Sequence, residues 1–142
     1  MGGPPGYNRV AWQARMMRLA DYFKIVWYAK EGHMQHFCDV EDREIKEIAP
    51  GIRIRTFWGD QMLISIADLD ANATLPTHSH PHEQAGTVIS GELELTIGGE
   101  THRLKPGRPF IIPGGVEHSG RAGDTPARVM DVFSPVRQDY QY

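Results

Sequence analysis

Cysteine is almost missing from this chain. Cys38 is the single thiol in 142 residues, which excludes an intrachain disulfide and any cysteine-rich metal site. One unpaired thiol fits a reducing compartment, so a cytoplasmic location is expected. Long apolar runs are missing too. Nothing approaches the roughly 18 uninterrupted apolar residues that a membrane helix requires. Gln13, Arg15, Arg18 and Asp21 break up the apolar core that a secretory leader would need. Arg9, Arg15 and Arg18 precede any acidic residue, but that segment has no serine, which argues against an organelle-targeting peptide. Excess positive charge is also lacking. The 15 Lys and Arg face 18 Asp and Glu, so composition gives no electrostatic footprint for nucleic acid or an anionic membrane. The length still suffices to bury one core without covalent staples.

Turn-forming residues are abundant. The chain has 15 glycines and 10 prolines, crowded into its second half, as in a fold of many short strands. Before that region, Met16, Leu19, Ala20, Phe23, Val26 and Trp27 recur at helical spacing. They predict an amphipathic helix over residues 10–30, stopped near Gly32. Residues 1–50 are therefore read as an N-terminal arm and 51–142 as a β-barrel domain. Residues 33–47 show no clear period; His33 and His36 read as surface histidines and Cys38 as a small packed residue.

Beyond Pro50-Gly51 every segment reads as strand. Ile52, Ile54 and Thr56 alternate with Arg53, Arg55 and Phe57. Residues 61–69, 86–90, 92–97, 101–104, 110–112, 116–120 and 128–134 follow, separated by turns such as Gly98-Gly99 and Pro113-Gly114-Gly115. Strands this short and regular indicate an all-β sandwich or small barrel.

Among them stands His78-Ser79-His80-Pro81-His82-Glu83-Gln84, three imidazoles and an amide in seven residues. Imidazole nitrogen suits zinc and its neighbours better than hard, oxygen-seeking ions. Alternation lets His78 and His80 share an inward face. It would aim His82 and Gln84 inward as well, but Pro81 makes an unbroken ladder doubtful, so spacing does not choose between them. His118 can reach the same centre from a neighbouring strand.

Residues 72–91 and 107–118 resemble the two motifs of the cupin superfamily. The first reads His78-x-His80, then Gln84, then Gly91; the second reads Gly107, Pro113, Gly115 and His118. The resemblance implies a double-stranded β-helix, or jelly-roll barrel, holding one divalent ion (Ni, Fe, Zn or Mn) on His78, His80, Gln84 and His118. It leaves His82 and Glu83 at the rim. Asn72 replaces the motif's first glycine, a substitution compatible with left-handed backbone. Gln84 replaces the usual glutamate. A neutral ligand set leaves full charge on the ion, which favours Lewis-acid chemistry.

The C-terminal segment adds Asp131, Phe133 and, beyond Pro135, Arg137. Asp131 and Phe133 share a parity and can face one cavity. A carboxylate there needs a partner, a metal or a function; a structural Asp131–Arg137 salt bridge is the plain alternative. Together with the histidine cluster, this segment resembles the KdgF-type pectin-degradation cupins. That resemblance implies conversion of 4,5-unsaturated uronate monosaccharides, the products of pectate and alginate lyases, into linear ketonised sugars. Asp131 would be the acid/base, Arg137 the clamp for the uronate carboxylate and Phe133 a pocket wall. A cupin dioxygenase or other isomerase acting on a small carboxylic acid, or a ligand-binding sensor cupin, are the alternatives. The expected partner is a small molecule rather than nucleic acid or membrane. The apolar stripe of the arm needs a covering surface, and a homodimer is expected.

Overall fold

Alternation becomes strand almost wherever the sequence offers it. The computed structural model describes residues Phe37–Tyr142; the helix expected over residues 10–30, with His33 and His36, lies outside them. The strands are β1 (Lys46–Ala49), β2 (Ile52–Trp58), β3 (Leu63–Leu69), β4 (Thr74–His78), β5 (Glu83–Ser90), β6 (Leu93–Ile97), β7 (Glu100–Leu104), β8 (Pro109–Ile112), β9 (His118–Ala122) and β10 (Ala127–Ser134). A 3-10 turn, Gln138–Tyr140, follows the last strand. Two antiparallel sheets result, one ordered β1-β2-β3-β10-β5-β8 and the other β4-β9-β6-β7. One core cluster takes Ile52, Ile54 and Val88 from the first and Leu93 and Leu95 from the second, so the sheets face each other as a jelly-roll barrel. Among the described residues no helix is long and apolar enough to cross a membrane.

Register sorts the inner face of the larger sheet into rows. Ile54, Ala67, Val129 and Val88 form an apolar row. The next row is Thr56, Ser65, Asp131, Gly86 and Phe110. Beyond it come Trp58, Leu63, Phe133, Gln84 and Ile112. A polar band thus crosses the barrel between two hydrophobic layers. Each buried Ile, Leu or Val in those layers contributes about 1.5–3 kcal/mol, and the layers hold the polar band in place.

Glycines set the turns. Gly98 and Gly99 have φ of +56° and +87°, the two positive values that a tight β6–β7 hairpin needs. Asn72 adopts φ +62°, the left-handed backbone expected of it.

Two strands arise where the sequence showed no pattern. β1 comes from the charged stretch assigned to the arm and pairs with β2, Lys46 opposite Ile54. β4 contains Pro76 and lies at the edge of the smaller sheet. Cys38 is exposed, not packed; it precedes the first strand and no core reaches it. Arg43 is buried instead, its guanidinium 5.0 Å from the Trp58 ring and 4.9 Å from that of Tyr142. The C-terminal tail is tied to the same edge. The Thr56 hydroxyl donates to the Tyr140 carbonyl at 2.6 Å, and the Tyr142 hydroxyl to the Ile54 carbonyl at 2.8 Å.

Candidate metal centre and its neighbours

His78 is the last residue of β4 and lies in register with His118, the first residue of β9. His80 follows in the connection to β5, and Gln84 sits inside β5. The four residues therefore come from two strand ends, a loop and a strand rather than from one alternating ladder. The turn before β9 fixes that loop. Gly115 donates its N–H to the His80 carbonyl at 2.8 Å. A Cβ on Gly114 would lie 2.3 Å from the Pro81 carbonyl oxygen, so only glycine permits this approach.

The structure brings His78, His80 and His118 together, with ligand atoms all within 4.8 Å of one another. Small side-chain shifts would let one ion with bonds of about 2.1 Å bridge them. Each ring has its Nδ1 against a backbone carbonyl: His78 on Pro76 at 2.9 Å, His80 on His82 at 3.1 Å and His118 on Val116 at 2.8 Å. A carbonyl only accepts, so each Nδ1 carries a proton, and in the neutral ring that tautomer leaves the lone pair on Nε2. His118 Nε2 is buried with no hydrogen-bond partner among the described residues. His80 Nε2 faces Gln84 Oε1 at 3.1 Å. Burial first, and then the charge of Arg137, lower the His80 pKa to about 4. The ring is neutral at ordinary pH and has one N–H for two acceptors. One contact is then lone pair against lone pair, which a cation between them relieves. An orphaned nitrogen and two facing acceptors fit a divalent ion.

Gln84 links this cluster to a carboxylate. Its Nε2 donates to Asp131 Oδ1 at 2.8 Å. Asp131 lies on β10 directly opposite Gly86 of β5. A Cβ on Gly86 would stand 2.4 Å from Phe110 Cζ and 2.6 Å from Asp131 Oδ1, so the missing side chain is the space that Asp131 occupies. Burial raises the Asp131 pKa to about 6, with the Gln84 hydrogen bond and Arg137 pulling the other way. Protonated and ionised forms coexist near neutrality. Asp131, Phe133, Arg137, His78, Gln84 and His118 line one cavity.

Arg137 does not form the structural bridge to Asp131 weighed from the sequence. Its carboxylate partner is Asp139, with Nε 3.1 Å from Oδ1; both residues belong to the tail, where the chain returns locally. His82 is not one of the three histidines whose ligand atoms converge; its carbonyl orients His80. Sequence reasoning passed over Gly86, Asp139 and Tyr140. A glycine inside a strand is a signal of close approach, and Arg137-x-Asp139 is a visible opposite-charge pair.

A jelly-roll barrel with an inward histidine trio at one end defines the cupin class, and residues 65–133 match the Cupin domain family. The chain belongs to the cupin superfamily. An uncharacterised protein of Streptomyces coelicolor is 32% identical over 74 residues, which cover 52% of this chain and 70% of the relative. An RmlC-like cupin from Shewanella frigidimarina superposes with a TM-score of 0.70 at 28% identity, covering 75% of this chain and 96% of that structure. More particularly, KdgF from a Halomonas species has a TM-score of 0.70 at 29% identity, covering 75% of this chain and 98% of its own.

Proposed function

We propose that this cupin is a metal-dependent enzyme that opens 4,5-unsaturated uronate monosaccharides to linear ketonised sugars. The observation carrying this reading is the Gln84–Asp131 hydrogen bond of 2.8 Å. It joins a candidate metal ligand to an acid/base group inside a cavity that Arg137 also lines. The likeness to KdgF, nearly the full length of that chain, supports it.

His78, His80, His118 and Gln84 would hold one divalent ion, and bound there it supplies Lewis acidity towards a sugar oxygen. The chain's own groups do the rest. Arg137 offers a planar pair of N–H donors to the uronate carboxylate, which a lysine would not reproduce. That contact fixes which end of the sugar lies deep. Asp131 moves a proton at the enol-ether carbon when the ring C–O bond opens. Gln84 holds the Asp131 carboxyl in one orientation through its N–H. Phe133, 3% exposed, walls the cavity and keeps water from Asp131.

The test is direct. Metal-loaded protein incubated with unsaturated galacturonate should bleach the absorbance of the conjugated enol ether. Asp131→Asn should lower turnover by at least about a hundredfold with metal content unchanged. Absorbance that persists with wild-type protein removes the proposal; loss of metal in Asp131→Asn assigns that residue a structural part instead.

A further inference from the structure

Asp139 has no part in the chemistry above, yet its contacts are specific. The Arg137 guanidinium carbon lies 3.8 Å from the centroid of the Tyr140 ring and 5.3 Å from that of Phe133. Those two rings meet edge to face at 5.7 Å. Asp139 takes one edge of the guanidinium. Nε donates to Oδ1 at 3.1 Å and Oδ2 at 3.2 Å, and Nη2 to Oδ2 at 3.1 Å. The Arg137 side chain is 12% exposed and that of Asp139 60%. The carboxylate is therefore on the solvent side and the guanidinium on the cavity side. Among the described residues Nη1 has no hydrogen-bond partner.

A guanidinium carries five N–H donors arranged as two paired edges. Here one edge is engaged and the Nη1/Nη2 edge has no second acceptor among the described residues; Arg137, Asp131 and His118 line the same cavity. The clamp is itself anchored. Lys46 Nζ donates to the Asp139 carbonyl at 3.0 Å, and Thr56 to that of Tyr140. An exposed ion pair between residues two apart adds little to stability. Its effect is on orientation: a long, flexible side chain is held in one geometry before a ligand arrives.

We propose that Asp139 is a positioning residue, clamping one edge of Arg137 so that the other is presented ready-aimed to the substrate's carboxylate. The inference rests on the uronate reading of this site. One guanidinium would then bridge two carboxylates, one from the chain on the solvent side and one from the ligand inside.

The experiment uses metal-loaded, full-length protein. KM and kcat are measured for unsaturated galacturonate, and Kd for saturated galacturonate, which has no enol ether to open, with galactose as the ligand lacking a carboxylate. Asp139→Ala should raise KM and the galacturonate Kd about tenfold, with kcat changed by less than about threefold and Tm unmoved. Asp139→Asn, whose amide oxygen still accepts from Nε, should recover most of the affinity and guards against a folding defect. Galactose affinity should be the same in all variants. Wild-type KM in Asp139→Ala, or a loss confined to kcat, overturns the proposal provided Arg137→Ala is impaired in galacturonate binding. If Arg137→Ala also binds galacturonate normally, the carboxylate reading of the site falls, and the clamp with it.

Discussion

Gln84 makes two contacts of opposite polarity: its oxygen faces His80 Nε2 at 3.1 Å and its nitrogen donates to Asp131 at 2.8 Å. A glutamate would keep the first and replace the second with a contact between two carboxyl groups. Two carboxylates at that separation cannot both ionise, so they would share a proton, and Asp131 would no longer titrate independently. Gln84→Glu should therefore retain metal by elemental analysis while kcat falls about ten- to a hundredfold; an unaltered rate would remove the amide from the mechanism. The neutrality of this side chain is plain in the sequence. Its role as donor is not, because Asp131 lies 47 positions away and meets it only through the pairing of β5 with β10. Asp139 was hidden for a related reason. The charge pair is local, but its relation to the cavity depends on how the tail is tied to β1 and β2.

At the scale of elements, the pairing of β5 with β10 explains why the inner position opposite Asp131 is a glycine. Besides its clashes with Phe110 and Asp131, a Cβ on Gly86 would lie 2.8 Å from the Met130 carbonyl oxygen. The two side chains can shift; the backbone yields less. Gly86→Ala should cost about 1–3 kcal/mol in a thermal melt. It should also lower turnover by more than about a hundredfold as Asp131 is displaced, with the metal retained. Wild-type turnover in that variant would show that Asp131 does not need its present place. Strand legibility follows position in the sheets. β2 and β6 have a buried face and alternate, whereas β3 and β10 read as apolar segments because Ile64, Ile66, Met130 and Val132 put apolar side chains on the outer face as well. β1 and β4 are edge strands, with one paired side and little burial to impose a pattern. Pro76 lacks an N–H and falls where the β4–β9 register shifts, between Leu75 and His78, which is where an edge strand tolerates it. The histidine cluster was legible as composition. Its division between a strand end, a loop and the next strand was not, since Pro81 ends the alternation that would have assigned each side.

Across the whole molecule the two sheets differ in what they show to solvent. The smaller one presents Glu94, Thr96, Thr101, Arg103 and Arg121. The larger one presents a registered row of Phe57, Ile64, Val132, Ala85 and Ile111, with Ile111 65% and Ile64 37% exposed. We propose that this apolar row seats a second copy of the chain. We expect sedimentation to give twice the chain mass, and the double variant Ile64→Glu, Ile111→Glu to give the single mass with metal binding intact. A wild-type protein that sediments as one chain would refute this. The three peptide carbonyls that receive the histidine Nδ1 protons have a different kind of consequence. They belong to Pro76, His82 and Val116, and no point substitution deletes a peptide carbonyl. The aim of the imidazoles is thus insulated from side-chain drift at those positions. Retuning the centre means altering the path of the main chain, which is what Pro81, Gly114 and Gly115 govern. A designer transplanting this site would need to copy a loop trajectory, and the three histidines alone would not suffice.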